Sequence, residues 1–295
     1  MTSKTPFLKL NNGVEMPALG LGVYQSPPEE TAAAVETALR DGYRLIDTAA
    51  AYRNEEQVGE GIKRSGVDRG EVFVTTKLWL SDYGYDSALR AFDTSLAKLG
   101  LEYLDLYLLH QPAPLEPEPW FAAYKAVEKL LADGRVRAIG VSNHTPGLLS
   151  TLMEQTDVVP AVNQVELHPY FVQRELREVH EKFGIATQAW SPIGGITRYW
   201  AHAPNGGRSA LEEPVVTELA EKYGKTAAQI VLCWHLEHGV CAIPKSVKAH
   251  RIAENFDVFD FTLTPDEVAA IDALDTGLRS GPDPEVIKLD TFGTR

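Results

Sequence analysis

Cysteine, positive charge and long apolar stretches are all scarce in this chain of 295 residues. Its two cysteines, Cys233 and Cys241, stand in no CxxC or Cys/His pattern with zinc spacing. This argues against a disulfide framework or a cysteine zinc site and predicts buried free thiols in a reducing compartment. Lysine and arginine number 28 against 41 aspartate and glutamate residues, a net charge of −13. Such a protein repels polyanions, so we expect no nucleic-acid partner and no binding to anionic membranes.

The sequence also lacks the apolar segments that target proteins to membranes. No stretch of about 18 apolar residues occurs, and the residues after Met1 lack the apolar region of a signal peptide. We therefore expect a cytoplasmic protein. If it binds an anionic ligand, the net negative charge requires a local cluster of positive side chains at that site.

Short β-branched runs alternate with amphipathic segments along the chain. The runs predict eight strands: Leu19 to Tyr24, Tyr43 to Asp47, Val72 to Lys77, Leu104 to His110, Val136 to Asn143, Ala161 to Glu166, Ile185 to Trp190 and Val240 to Lys245. The segments between them predict helices, among them Glu29–Arg40, Glu55–Arg64, Asp86–Leu99, Trp120–Ala132, Arg174–Phe183 and Val215–Tyr223. Eight strand–helix units fit an α/β fold of the (β/α)8 TIM-barrel type better than an open sheet. No low-complexity linker divides the chain, so we expect a single domain over residues 1–295.

Two segments lie outside this repeat. Phe7 to Met16 predicts a β-hairpin in which Asn12-Gly13 supplies the positive φ angles of a tight primed turn, and we expect it to cap the barrel floor. The long loop from Ser191 to Leu211, after strand 7, is rich in Gly, Pro and Asn and contains the pair Tyr199-Trp200. Its length predicts a lid or ligand-binding segment.

The predicted strands end in residues that are costly to bury. In a barrel, the strand interiors fill the core and the C-terminal strand ends meet at one mouth. The polar residues at these ends are Asp47, Lys77, His110, Ser142, Asn143, Asn163, Gln164, Glu166 and Lys245. We therefore expect them to surround one site.

Three of these residues, Asp47, Lys77 and His110, end neighbouring strands, and Tyr52 follows Asp47 in the same loop. Because an unpaired charge there is costly, an Asp47–Lys77 pair would satisfy both groups. A lysine ammonium lowers the pKa of a neighbouring phenol from about 10 by stabilising the phenolate, which makes Tyr52 a candidate general acid. Singly, these residues also fit a helix cap, a surface aromatic and polar rim residues; together they favour a catalytic site.

Several motifs occur at these strand ends in a characteristic order. They are Gly20-Leu21-Gly22, Asp47-Thr48-Ala49 with Tyr52, Lys77-Leu78-Trp79, Leu108-Leu109-His110, Gly140-Val141-Ser142-Asn143 and Ile243-Pro244-Lys245-Ser246. Over nearly its whole length the chain resembles the aldo-keto reductases, in particular bacterial members of the 2,5-diketo-D-gluconate reductase type. The resemblance implies that Tyr52 donates a proton to a substrate carbonyl oxygen, that Lys77 lowers the Tyr52 pKa and that Asp47 holds Lys77. His110 would orient the carbonyl as a neutral imidazole, and hydride would come from a reduced nicotinamide.

A dinucleotide would have to bind without the Rossmann fingerprint, because the Gly20–Gly22 segment lacks its third glycine. Lys245, Lys248, His250 and Arg251 form the densest basic stretch of the chain, which composition alone would equally assign to a solvated helix turn. The resemblance implies that Lys245, Ser246 and Arg251 hold the 2′-phosphate of NADP. Because arginine and lysine suit a phosphate, we expect NADPH rather than NADH.

The resemblance assigns further residues to the cofactor. Glu254 and Asn255 would contact the adenine, and Ser142, Asn143 and Gln164 the nicotinamide carboxamide. Trp190, where tyrosine is more usual in the family, would stack on the nicotinamide ring. The remaining expected contacts are the pyrophosphate loop from Ser191 to Gly195, including Pro192 and Gly194, and the residues Gly22, Val23 and Val247.

The substrate side is less defined. Tyr24, Trp79 and Trp120 are candidates for an aromatic wall, with core packing as an equal alternative for each. Gln111 stands where tryptophan is common in the family and makes one side of the pocket more polar. The short tail after Ser280 resembles that of bacterial members with an open pocket, which implies small aldehydes, α-dicarbonyls or keto-sugars as substrates. We expect a monomer with a small-molecule carbonyl substrate and no metal.

Two other functions account for less of the sequence. A metal-dependent barrel hydrolase would need an HxH motif in the first strand, whereas the close pair His235 and His238 lies in a helical pattern remote from the strand ends. The second is a regulatory module that binds the cofactor without turnover; the potassium-channel β subunits, for example, resemble reductases. The presence of all four catalytic residue types argues against this function.

Overall fold

Two short strands precede a closed barrel of eight parallel strands. The computed structural model describes residues 5–194 and 209–293. Strands β1 (Phe7–Lys9) and β2 (Glu15–Pro17) pair antiparallel. The barrel strands, each hydrogen-bonded to the next in chain order, are β3 (Leu21–Gly22), β4 (Leu45–Asp47), β5 (Phe73–Leu78), β6 (Leu104–Leu109), β7 (Val136–Ser142), β8 (Val162–Glu166), β9 (Ala186–Trp190) and β10 (Cys241–Ala242). Parallel bridges from Leu19 to Ala242 and from Gly22 to Lys245 close the sheet, so the predicted (β/α)8 barrel is confirmed.

The helices surround this barrel. They are α1 (Pro28–Asp41), α2 (Glu55–Ser65), α3 (Tyr85–Leu99), α4 (Pro117–Ala132), α5 (Pro146–Gln155), α6 (Arg174–Phe183), α7 (Pro214–Tyr223), α8 (Ala227–Glu237), α9 (Ala249–Phe256) and α10 (Pro265–Asp272). Helices α8 and α10 begin at the capping boxes of Thr226 and Thr264, whose hydroxyls accept the backbone N–H three residues on. Within the described ranges, no helix is long and apolar enough to cross a membrane.

Side chains pack in two layers, one inside the barrel and one between strands and helices. Almost all residues of the barrel strands are buried because parallel strands of a barrel are covered on both sides. The interior cluster includes Leu45, Phe73, Leu106 and Leu108, and a larger outer cluster fills the space under the helices. With the interior filled, only the C-terminal strand ends are left to form a site.

The hairpin caps the N-terminal end of the barrel, as predicted, but with a different turn. Leu10 and Met16 pack into the interior cluster, and Asn11 and Asn12 donate side-chain hydrogen bonds to the backbone oxygens of Pro160 and Arg137. The predicted primed turn is wrong: Gly13 has a φ of +86° and Asn12 is not in the left-handed region. The Gly13 amide donates to the Leu10 oxygen and the Leu10 amide to the Val14 oxygen, which is the three-residue loop whose final glycine forms a bulge.

The predicted lid loop is described only at its two ends. Ser191 to Gly194 leads away from β9, and Ser209 caps a short 3₁₀ turn over Ala210–Glu212 that precedes α7. The Tyr199-Trp200 pair and Gly195 lie outside the described residues, so the lid remains a prediction.

Candidate active site

The C-terminal strand ends surround a cavity of about 530 Å³. Most of the residues predicted from the strand-end pattern line it, as do segments 190–193 and 243–248. The predicted site residues in its wall are Gly22, Tyr24, Asp47, Tyr52, Trp79, His110, Gln111, Ser142, Asn143, Gln164, Trp190, Ser191, Pro192, Lys245, Ser246, Val247 and Arg251. This volume suits a small ligand or the reactive part of a larger one.

Lys77 lies directly beneath this cavity, fully buried at the end of β5. Its ammonium donates to Asp47 Oδ1 at 2.6 Å, to the backbone oxygen of Thr48 at 2.9 Å and to the phenol oxygen of Tyr52 at 3.4 Å. Three donors therefore meet three acceptors, which is how a buried ammonium is accommodated. The predicted Asp47–Lys77 pair is present, and the phenol of Tyr52 lies beside the Lys77 ammonium.

Asp47 is held from both sides. Its Oδ1 accepts from Lys77, and its Oδ2 accepts from the amide nitrogen of Gln164 at 2.7 Å. Burial raises the pKa of the Asp47 carboxyl, whereas Lys77 and Gln164 lower it; burial lowers the pKa of Lys77, whereas Asp47 raises it. Neither charge could remain buried without the other. The contact of Gln164 with Asp47 was not predicted, because 117 residues separate the two side chains.

A buried hydrogen-bond network fixes the turn that carries Tyr52. The turn is a 3₁₀ segment over Ala50–Tyr52, and Arg53 follows in the left-handed region with a φ of +56°. Asn54, fully buried, accepts from the hydroxyl of Thr48 at 2.8 Å and donates to the backbone oxygen of Val23 at 3.0 Å. This network ties the turn to the first barrel strand, so the phenol has a fixed position over Lys77.

A second hydrogen-bond chain connects Trp190 with the strand of His110. The indole nitrogen of Trp190 donates to Asn143 Oδ1 at 2.8 Å, and the amide nitrogen of Asn143 donates to the His110 backbone oxygen at 3.0 Å. Asn143 has a φ of +63° and Ser191 a φ of +50°, a conformation that non-glycine residues adopt mainly where surrounding contacts enforce it. The hydrogen bonds of Asn143 therefore link the rim after β7 to both β9 and the end of β6.

Aromatic rings line the wall on the Tyr52 side of the cavity. The Tyr52 ring lies 5.0 Å from Tyr24 and 5.5 Å from His110, and Trp79 lies 5.0 Å from His110 and 5.4 Å from Phe292, measured between centroids. Trp120, by contrast, is buried beneath the helices and is not among the residues that line the cavity. The predicted aromatic wall thus consists of Tyr24 and Trp79, and core packing accounts for Trp120.

One part of the cavity wall is basic. Lys245, Lys248 and Arg251 line it, and none of the three forms an ion pair with a carboxylate of the described chain. Burial lowers the pKa of Lys245, Glu30 opposes this effect and Lys248 adds to it. Three unpaired cations side by side in an acidic protein form an edge suited to an anion.

Some predicted cofactor residues lie outside the cavity wall. Val23, Gly194, Glu254 and Asn255 are not among its lining residues. Glu254 instead accepts from the hydroxyl of Thr226 at 3.0 Å. In the described parts of the chain, no group of three or more His, Cys, Asp or Glu side chains is arranged to hold a metal ion.

The C-terminal tail contributes to the site more than the sequence suggested. Pro282 and Phe292 line the cavity, the Leu289 amide donates to Glu116 at 2.6 Å, and Glu285 accepts from the Thr145 hydroxyl. The tail is short, but two of its residues form part of the cavity wall. No motif pointed to Pro282 or Phe292, because the tail has no periodic pattern and its contacts are distant in sequence.

Comparison with known proteins agrees with this geometry. The model of the aldo/keto reductase family matches residues 17–276. The chain is 55% identical to morphine 6-dehydrogenase of Pseudomonas putida, over 99% of each chain, and 47% identical to glyoxal reductase of Bacillus subtilis, over 96% of this chain and 98% of that one. A solved structure of a Bombyx mori aldo-keto reductase in complex with NADP superposes with a TM-score of 0.87 at 37% identity, covering 94% of this chain and 95% of the other. The chain belongs to the aldo/keto reductase family.

Proposed function

We propose that this protein is an NADPH-dependent reductase that converts a carbonyl to an alcohol. The observation that carries the proposal is the contact of the buried Lys77 ammonium with both Asp47, at 2.6 Å, and the Tyr52 phenol, at 3.4 Å, beneath a cavity with a basic edge. A phenol beside a fixed cation is a proton donor matched to a carbonyl oxygen.

The residues present fit a phosphorylated dinucleotide. Trp190 offers an indole face in the cavity wall, held in orientation through its nitrogen by Asn143. Lys245, Lys248 and Arg251, which form no ion pair within the described residues, suit the 2′-phosphate, and arginine can bind it through two donors. When bound, the cofactor supplies the hydride. The amide nitrogens of Asn143 and Gln164 already donate to protein groups, so a carboxamide would meet their oxygen atoms.

The side chains of this protein supply the proton and orient the carbonyl. Tyr52 donates the proton to the carbonyl oxygen, and the Lys77 ammonium stabilises the negative charge left on the phenol. Asp47 keeps Lys77 charged in its buried position. His110, packed by its ring edge between Tyr52 and Trp79, orients the carbonyl. One hydride and one proton complete the reduction.

We propose small aldehydes, α-dicarbonyls or keto-sugars as substrates. Glyoxal, the substrate named for the Bacillus relative, is an α-dicarbonyl. Gln111 in the wall adds a polar group beside the aromatic rings of Tyr24 and Trp79, which suits compounds that carry an oxygen next to the carbonyl. Morphine 6-dehydrogenase, at 55% identity, names a larger alcohol and makes oxidation of a polycyclic alcohol a second candidate.

The test is cofactor turnover by the purified protein. NADPH consumption is measured with aromatic aldehydes, glyoxal-type dicarbonyls and keto-sugars, and NADP⁺ reduction with polycyclic alcohols. We expect NADPH consumption with at least one carbonyl class. Absence of turnover with every compound, together with intact NADPH binding, would favour the regulatory module instead.

Replacing Arg251 with alanine tests the choice of cofactor. Because a charge-assisted hydrogen bond to a phosphate is lost, we expect NADPH affinity to fall by about 10- to 100-fold and NADH affinity to change little. Affinities are measured by fluorescence titration. Arg90→Ala, which removes the same charge from the exposed face of α3, is the matched control. Equal losses for the two cofactors in Arg251→Ala would contradict a contact with the 2′-phosphate.

A further inference from the structure

A buried carboxylate outside the catalytic group holds the C-terminal tail. Glu166, at the end of β8, is fully buried. Its Oε1 accepts from the Ser280 amide at 2.7 Å and from His168 Nε2 at 3.0 Å, and its Oε2 accepts from the Gly281 amide at 2.8 Å. Burial raises the pKa of Glu166, but His168 and the two amides lower it to a net value below the usual range. An ionised side chain therefore fixes the tail where it meets the barrel.

The tail segment fixed in this way touches the indole of Trp190. A Cβ at Gly281 would lie 2.8 Å from Trp190 Cη2 and 3.0 Å from Glu166 Oε2. Only glycine leaves room for the indole and the carboxylate together. The other end of the same indole donates to Asn143, which in turn holds the backbone of His110.

We propose that Glu166 and Gly281 are positioning residues that press the tail against the Trp190 indole and so set the platform on which the nicotinamide lies. The contacts run from Glu166 to the Gly281 backbone, from Gly281 to the indole edge, and from the indole nitrogen to Asn143. The role in cofactor binding rests on the proposed function. The contact itself does not, and the two can be tested separately.

Glu166→Gln keeps the shape of the side chain but turns an NH₂ group toward a backbone N–H or the His168 donor. Gly281→Ala forces the indole edge to move. We expect both variants to lower NADPH affinity by about tenfold. The matched control is Glu116→Gln, which weakens a carboxylate that holds the tail at Leu289, away from the indole; its NADPH affinity stays within about twofold of wild type. All affinities are measured at a temperature at which every variant is still fully folded.

The indole is observed directly by fluorine NMR of protein labelled with 5-fluorotryptophan, without cofactor. The Trp190 resonance is assigned as the one missing in Trp190→Tyr. We expect Glu166→Gln and Gly281→Ala to shift it and Glu116→Gln to leave it in place. An unshifted resonance in both of the first two variants would overturn the proposal, whatever the outcome for NADPH.

A double-mutant cycle separates positioning from a general loss of structure. A phenylalanine ring at position 190 does not reach as far as the indole, so we expect Gly281→Ala to weaken NADPH binding less in the Trp190→Phe background than in wild type. An equal penalty in both backgrounds would show that the indole does not transmit the effect and would overturn the proposal. If wild-type protein bound no NADPH, the proposed function would fail, and the resonance shifts would still decide whether the tail positions the indole.

Discussion

Tyr52→Phe is expected to lower kcat by about 10²- to 10⁴-fold, the range typical of a lost general acid. NADPH affinity is expected to stay within about twofold, since the phenol acts on the carbonyl oxygen in the transition state rather than on the bound cofactor. The phenyl ring keeps the packing against Tyr24 and His110, at 5.0 and 5.5 Å between centroids, so the loss would report the hydroxyl alone. Steady-state kinetics and fluorescence titration measure the two quantities.

Tyr124→Phe is the control for Tyr52→Phe. Tyr124, on α4, is buried in the outer cluster and donates one hydrogen bond to the backbone oxygen of Val158 at 3.1 Å, so its variant loses a comparable hydroxyl that does not line the cavity. We expect a loss of about 1 kcal/mol in stability and unchanged kcat. Retention of kcat in Tyr52→Phe would remove the phenol from the mechanism.

Lys77→Met should lower both kcat and the free energy of unfolding. The variant leaves the Asp47 carboxylate buried without its counter-ion, which typically costs about 3–5 kcal/mol in the free energy of unfolding. It also removes the cation beside the Tyr52 phenol, so kcat should fall by at least about 10²-fold. Urea unfolding and steady-state kinetics of the same preparation measure both effects.

Adding Asp47→Asn to Lys77→Met should recover part of the lost stability but none of the activity. Asparagine removes the orphaned charge, so the two changes should cost less together than the sum of the single changes. The control is Lys98→Met, which removes a lysine from the exposed face of α3 and should leave unfolding and turnover nearly unchanged. Additive costs for Lys77 and Asp47 would contradict a coupled buried pair.

Three of the four proposed catalytic residues could be found in the sequence because they end buried strands. Asp47, Lys77 and His110 end apolar runs, and parallel strands bring such ends to one mouth. The Asp47–Lys77 contact then follows from the cost of burying either charge alone. The predicted barrel and the predicted catalytic pair therefore rest on the same pattern.

The remaining parts of the site depend on contacts that have no local pattern. Glu166 belongs to the pattern of polar strand ends, but its partners are backbone N–H groups 114 and 115 residues away, and every residue type except proline has one. Phe292 lies in a tail without periodicity. The primed turn predicted at Gly13 is wrong because Asn-Gly suits both a primed turn and a type I turn with a bulge; the hydrogen bonds of Leu10 decide between them.

The N-terminal hairpin of β1 and β2 determines from which side small molecules can reach the cavity. Within residues 5–194 and 209–293, Leu10 and Met16 fill the N-terminal end of the barrel, so the cavity opens only toward the C-terminal strand ends. Reactant and product must use the same opening of the cavity, whose wall includes Pro282 and Phe292. A product therefore has to leave past the C-terminal tail before the next reactant can enter.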